Sequence, residues 1–315
     1  MSNESLQDQA RQHSRLYRVF VNPEERRLRA GWRLLGYGLL LATIMPLAPL
    51  ATSVVFAAGR PGELPPWAGQ VLFYALYLLA VLLVTALARR FLDRRPFLDL
   101  GLRLPRGWWA DLLFGTALGG LLMAAIAFVE WAAGWLEFGG FAWQAMGWGQ
   151  LALSLTTAFF VYGVVGINEE LMMRGYVLQN LAEGLNMAWA VVISSAVFGL
   201  LHLGNPYASW ISTANIAVAG VFLAAGYLVT RSLWLPIGLH FGWNFFQGTV
   251  FGFPVSGTDG FHLIRQTVAG PAWITGGPFG PEAGITGLVA MAVGTALTWL
   301  YGTRNTQHRS KHAGY

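Results

Sequence analysis

Residues 151–174 read LALSLTTAFFVYGVVGINEELMMR. Leu151–Ile167 carries no charge and is close to the roughly 17–25 residues a helix needs to cross a bilayer core of about 30 Å. Asn168, Glu169 and Glu170 follow directly, and Arg174 lies four residues further on. A charge at mid-bilayer costs on the order of 2.5–3.5 kcal/mol on insertion scales. Charges set against such a run therefore need a reason. The stretch reads as a membrane helix and as a candidate site together.

The rest of the chain agrees with the first half of that reading. Of 315 residues, 55% are hydrophobic and only 11% charged, against roughly 25% charged in an ordinary soluble domain. The mean hydropathy is +0.49. This composition excludes a soluble enzyme, a disordered chain and a secreted disulfide scaffold, and the absence of cysteine removes thiolate metal sites and thiol nucleophiles. Apolar runs lie at about Leu34–Ala57, Ala68–Ala88, Leu112–Gly134, Leu151–Ile167, Ala188–Leu203, Ala214–Thr230, Leu235–Phe251 and Gly284–Tyr301. The first is too long for a cleaved signal and is expected to be retained. The expected fold class is all-α, a polytopic membrane protein of about eight transmembrane helices with an intramembrane active site. Its expected divisions are an N-terminal cytoplasmic segment (1–31), three helices (32–148), a catalytic core of four helices (149–251), a Gly/Pro-rich loop (252–283), and a last helix with a basic tail (284–315). The loop reads equally as a plain surface loop or as a partly re-entrant lid.

The cations set the orientation. With alternating crossings and the N-terminus inside, eighteen Arg and Lys fall on the inner segments and only Arg60 and Arg265 on the outer ones. That is a strong positive-inside bias, and it places both termini in the cytoplasm, in the cytoplasmic membrane. Trp32, Trp67, Trp108, Trp109, Trp131, Trp135 and Trp234 stand near run ends, as interfacial anchors do. The basic pI of 9.7 is thus accounted for by topology, and nucleic acid is not an expected partner. The expected partners are the bilayer and a protein or peptide substrate. Gly115-x3-Gly119 and Gly238-x3-Gly242 permit close helix approach, although such spacings are common in apolar sequence.

Few ionisable groups lie inside the runs: Glu130 near a run end, Glu169, Glu170 and Arg174, His202 and His240. Glu170 and Arg174 are four apart, so they share a helix face and can pair. Glu169 is rotated about 100° away and can point elsewhere. A buried carboxylate without such a partner suits a general base. His240 and Asn244 share a face, and so do Phe198 and His202. Each feature alone has a plain reading: two glutamates ending a helix at the interface, a histidine satisfied between helices, an asparagine as packing glue, Met172 and Met173 as filler. Those readings do not explain why nearly all the costly groups gather in 169–244 at helical spacings.

In that pattern the sequence resembles the CPBP family of intramembrane proteases, the CAAX-protease and bacteriocin-processing group related to type II CAAX prenyl endopeptidases. The family motifs EExxxR, FxxxH and HxxxN read here as Glu169-Glu170-Leu171-Met172-Met173-Arg174, Phe198-Gly199-Leu200-Leu201-His202 and His240-Phe241-Gly242-Trp243-Asn244. The likeness covers roughly residues 150–250. It implies hydrolysis of peptide bonds in membrane-associated or lipid-modified substrates. Glu169 would activate water, His202 would help hold it, and His240 with Asn244 would stabilise the oxyanion. Glu170, Arg174 and Phe198 would orient these groups. The resemblance leaves the cofactor open between zinc, held by Glu169, His202 and His240, and none. Two histidines and a carboxylate suit zinc with an open position, but Glu170 would then have to be the base, and its pairing with Arg174 works against that.

Two other classes compete. A proton-coupled transporter would also use intramembrane Glu and His, but no repeated half and no matched pair of broken helices is present. A non-catalytic membrane scaffold or immunity-type binder would keep the fold without turnover. The helix boundaries also conflict with the motifs. His202 lies about 21 Å along a helix begun at Ala188, whereas His240 lies about 8 Å into its own. Both cannot start at one membrane surface and meet at one depth. Either the fifth helix begins below the membrane, or tilt and a kink close the gap, or the boundary is misplaced.

Overall fold

In the computed structural model, residues 15–58 and 65–312 are described. Arg11, Arg60 and much of the N-terminal segment that enter the orientation argument lie outside them. The chain is 75% helical, an all-α polytopic membrane fold. Besides the short helices Arg15–Phe20 and Ala272–Thr275, the helices are α1 (Ala30–Ile44), α2 (Leu47–Ala58), α3 (Pro66–Leu87), α4 (Trp108–Ala132), α5 (Trp148–Glu170), α6 (Leu178–Gly184), α7 (Met187–Leu201), α8 (Trp210–Thr230), α9 (Trp234–Asn244) and α10 (Ile285–His312).

Among the described residues six helical segments, not eight, are long and apolar enough to cross a membrane. The other two expected crossings are α7, of 15 residues, and α9, of 11. The latter runs on through a wider, π-type turn, Phe245–Val250. These shorter helices bear the two motif histidines, near the end of α7 and within α9. Two more boundaries differ from the sequence reading. Pro46 removes a backbone donor and clashes with the preceding turn, so the first run is broken between α1 and α2. The fourth run does not stop at Ile167: a continuous helical segment spans Trp148–Gly184 and carries the Glu-Glu motif in its interior.

That length accounts for about 8 Å of the roughly 13 Å between the two depths. Gln179 donates to the Leu100 carbonyl at 2.8 Å, and the Leu233 amide donates to the neighbouring Gly101 carbonyl at 2.9 Å. The α8–α9 turn therefore sits level with Gln179. The α6–α7 turn lies another five residues on, about 8 Å along a helix. The fifth expected crossing thus begins beyond the level at which the seventh begins, and His202 and His240 both come within 4 Å of Glu169 Oε2.

The glycine pairs explain how α9 is held. A Cβ on Gly238 would lie 2.2 Å from the Leu112 carbonyl oxygen, and one on Gly242 would lie 2.2 Å from that of Thr116. Gly115 and Gly119 of α4 meet the α9 backbone in return. The two small-residue stripes mesh, which permits backbone-to-backbone packing. His240 and Asn244 each lie two residues past one of these glycines, about 200° round the helix, and line the site.

At the basic face, Arg33 and Arg89 pair with Asp93 at 3.2 and 2.6 Å, and Tyr176 donates to the same carboxylate at 3.1 Å. All four side chains are buried. Arg27 and Arg33 also reach Glu183, at 3.0 and 2.8 Å. This network ties α1, the turn after α3 and α6 together. At the other face, strands β1 (Leu136–Phe141) and β2 (Ile264–Val268) pair antiparallel. They anchor the Gly/Pro-rich segment 252–283, which folds inward as a lid with Val255, Ser256 and Gly257 buried.

Candidate active site

The Glu-Glu motif closes α5, and the chain passes at once into a π-type turn, Leu171–Val177. Such wider turns occur mostly as single insertions in α-helices, often at functional sites. Here the turn carries Arg174 back toward Glu170. Arg174 Nη1 donates to Glu170 Oε1 at 2.8 Å, and its Nη2 donates to the Gly220 carbonyl at 2.9 Å. Its guanidinium lies 4.6 Å from the centre of the Phe198 ring, a cation–π contact. His240 Nδ1 shares the same Glu170 oxygen at 2.8 Å. Glu170 is thus fully buried with both partners on Oε1, while its Oε2 has no hydrogen-bond partner among the described residues.

Glu169 is treated differently. Its side chain keeps 22% of its exposure, and its Oε2 has no hydrogen-bond partner among the described residues. That oxygen faces His240 Nε2 at 3.7 Å and His202 Nε2 at 3.9 Å. Each distance is too long for a direct hydrogen bond and is of the kind a water bridges. The other ring nitrogens are engaged. His202 Nδ1 lies 2.8 Å from the Phe198 carbonyl. A carbonyl and a carboxylate only accept here, so both Nδ1 atoms carry the proton. Both Nε2 atoms are thereby turned toward Glu169.

These groups line one cavity of about 200 Å³, together with Asn244, which is buried. Water takes up roughly 30 Å³ per molecule, so the space has room for several water molecules or a short stretch of chain. All the motif residues expected to act, Glu169, His202, His240 and Asn244, are brought together. Glu130 is not. It lies at the far end of α4, where Thr286 Oγ1 donates to it at 3.0 Å and ties α4 to the start of α10.

The donor set for zinc is right in kind but not as placed. Ligands about 2.1 Å from a tetrahedral zinc stand roughly 3.4 Å apart, and both Nε2–Oε2 separations exceed that. Among the described residues no group of three His, Cys, Asp or Glu has metal-holding geometry.

The cavity also contains residues outside the motifs: Asn205, Ser256 and Glu282. Glu282 precedes α10 in a 3-10 turn and is only 4% exposed. Burial pushes its carboxyl above the ordinary range, against the pull of its hydrogen bonds from Ser256. Its sequence signal is slight: it is the only acidic residue after Asp259, set in Gly280-Pro281-Glu282-Ala283-Gly284.

A family model, Type II CAAX prenyl endopeptidase Rce1-like, matches residues 148–246, the segment that carries all three motifs. No curated protein and no solved structure matches the chain. The central third of this membrane protein is similar to the Rce1-like type II CAAX prenyl endopeptidases, consistent with the CPBP family of intramembrane proteases.

Proposed function

We propose that the chain is an intramembrane endopeptidase that cleaves membrane-associated or lipid-modified polypeptides with a water activated by Glu169. The observation that carries this reading is the contrast within the Glu-Glu pair. Glu170 is fully buried outside the cavity lining and is held through Oε1 by Arg174 and His240, whereas Glu169 is partly exposed, lines the cavity and turns an unpartnered oxygen toward two ring nitrogens.

The water sits between Glu169 Oε2 and the two Nε2 atoms. Glu169 takes a proton as the water oxygen bonds to the scissile carbonyl carbon, and the carbonyl oxygen becomes an oxyanion. Asn244 Nδ2 and His240 Nε2 donate to that oxyanion. Nε2 can donate only when His240 carries both protons, because Nδ1 already donates to Glu170. Collapse breaks the C–N bond, and Glu169 returns the proton to the leaving amine. His202 holds the water, and Arg174 with Phe198 fixes Glu170 and so His240. No step is routed through a metal.

A second cavity supports a substrate arriving from the bilayer. It is largely apolar, about 820 Å³, and runs between α1 and α7, where Leu41, Met45 and Val197 line it. It meets the catalytic cavity at Glu169, Phe198, His202 and Asn205. The cation distribution supports cytoplasmic termini. The test uses purified full-length protein and a peptide carrying a farnesylated cysteine three residues before its C-terminus, beside the same peptide without the farnesyl group. The expected result is cleavage of the farnesylated peptide by the wild type, unchanged by chelators and lost in Glu169→Gln. Wild-type-like cleavage by Glu169→Gln overturns the assignment of the base, and inhibition by chelators overturns the metal-free mechanism.

A further inference from the structure

The lid enters the active site at one point. Val255 and Thr258 form an isolated bridge, exchanging both backbone hydrogen bonds at 2.9 Å. The two residues between them, Ser256 and Gly257, have φ of 46° and 80°. Positive φ at both central positions is the signature of a tight two-residue hairpin turn. Glycine adopts it freely, but serine does so at a cost. At Gly257 no side chain fits, because a Cβ would lie 1.9 Å from the Pro206 carbonyl oxygen.

Something must hold Ser256 there, and three contacts do. Glu282 Oε2 accepts both the Ser256 amide at 2.6 Å and its hydroxyl at 2.9 Å. The Ser256 carbonyl in turn accepts from Asn205 Nδ2 at 3.0 Å. The Asn205 amide donates to the His202 carbonyl at 3.1 Å, in the turn that ends α7. Nearby, Gln247 donates to the Pro254 carbonyl at 2.6 Å and joins the turn to the continuation of α9, three residues past Asn244. The turn thus links the start of α10, the end of α7 and the extension of α9. These are the elements that surround the reacting groups. Glu282 lies outside the family-matched segment 148–246 and is not part of any of the three motifs.

We propose that Glu282 is a positioning residue of the active site: by clamping the Ser256–Gly257 turn it fixes the roof of the catalytic cavity and, through Asn205, the end of α7 that presents His202. This rests on the endopeptidase reading for its consequence in turnover, but the mechanical link is observable without turnover. Removing the carboxylate strands a buried amide and hydroxyl and releases a strained turn. A displacement of about 1 Å at a catalytic group can cost on the order of 10²-fold in rate.

The experiment compares full-length wild type, Glu282→Ala, Glu282→Gln and Asn205→Ala in detergent by amide hydrogen exchange and by cleavage of the farnesylated peptide. The expected result for Glu282→Ala is faster exchange across residues 199–208 with residues 81–93 unchanged, and kcat lower by about 10²-fold with KM little altered. Glu282→Gln keeps an acceptor oxygen for Ser256 and is expected to restore slow exchange and most of kcat. Asn205→Ala is expected to reproduce the Glu282→Ala effects, and the double variant to be no worse than either single, as for residues in one network. If Glu282→Ala fails to accumulate, Asn205→Ala and Glu282→Gln carry the test. Unchanged exchange at 199–208, additive effects in the double variant, or failure of Glu282→Gln to rescue each overturns the proposal. A wild type that does not cleave the peptide overturns the endopeptidase reading, and the exchange data then decide the link by themselves.

Discussion

Two clusters in this molecule use the same residue types to opposite ends. At the basic face, both oxygens of Asp93 are occupied: Arg33 and Tyr176 contact one, Arg89 and Asn180 the other. In the catalytic cavity, Glu169 Oε2 has no hydrogen-bond partner among the described residues. A buried charge is tolerable when its partners saturate it, and a saturated carboxylate has no free lone pair with which to take a proton. The first cluster fastens helices; the second leaves an oxygen without a partner, and the proposed endopeptidase mechanism uses it. Glu170, tied through Oε1 to Arg174 and His240, shows that the division can run between adjacent residues, since about 100° of helix rotation separates it from the cavity-facing Glu169.

The strongest way to break the comparison is to remove the free oxygen. Glu169→Gln is expected to lower single-turnover cleavage by about 10²–10⁴-fold, the usual contribution of a general base, with the thermal midpoint unchanged. A large loss of stability with cleavage intact would mean that Glu169 is another fastener.

The converse substitution is Asp93→Ala. It leaves Arg33 and Arg89 buried with reduced compensation, and breaking a buried pair in this way costs about 3–5 kcal/mol. Urea or thermal unfolding in detergent is expected to show that loss, while turnover per folded molecule stays at the wild-type level. A fall in turnover of the folded fraction would show that the basic-face network is coupled to the site.

How much of this was legible in the sequence depends on the range of the contact. The Glu170–Arg174, Phe198–His202 and His240–Asn244 spacings are local to a helix, so the periodicity of 3.6 residues exposes them. The cost of placing charge in hydrocarbon made them conspicuous. The small-residue stripes on α4 and α9 were visible too, but not that each was the other's partner. Clamps such as Ser256–Glu282 and Asn205–Ser256 join residues 26 and 51 apart and obey no period. The helix ends were the least readable. Apolarity stops at Ile167, yet the helix continues to Gly184, because Glu170 and Arg174 pair with each other inside the bundle. Hydropathy registers the charges but not their pairing.

The meshed helices give an intermediate test. Gly242→Ala puts a methyl against the Thr116 carbonyl with no side chain to give way, and overpacking of this kind typically costs about 1–3 kcal/mol. Because His240 and Asn244 ride on the displaced helix, turnover is expected to fall along with stability. This separates it from Asp93→Ala, where stability falls alone. A variant with wild-type stability and turnover would show that the α4–α9 approach is slack.

The smallest effect sharpens the comparison at the rim of the fastening network. Glu25 pairs with Arg27 at 2.8 Å but is 43% exposed, and Arg27 keeps Glu183 as a second partner. The hydrogen bond from Arg27 lowers the Glu25 pKa below its ordinary value of 4.5. A folded-state pKa below the unfolded one means the unfolded chain binds the proton more readily, so the pair stabilises above the ordinary carboxylate range. That contribution drains away as pH falls through the lowered value. Exposed pairs contribute at most about 1 kcal/mol, so Glu25→Gln is expected to lower the thermal midpoint slightly at pH 7, with the difference closing as pH falls below 4.5. A difference that persists in acid would mean that Glu25 acts through packing and not through charge. A large one would mean that the rim of the network is as tightly built as its core around Asp93.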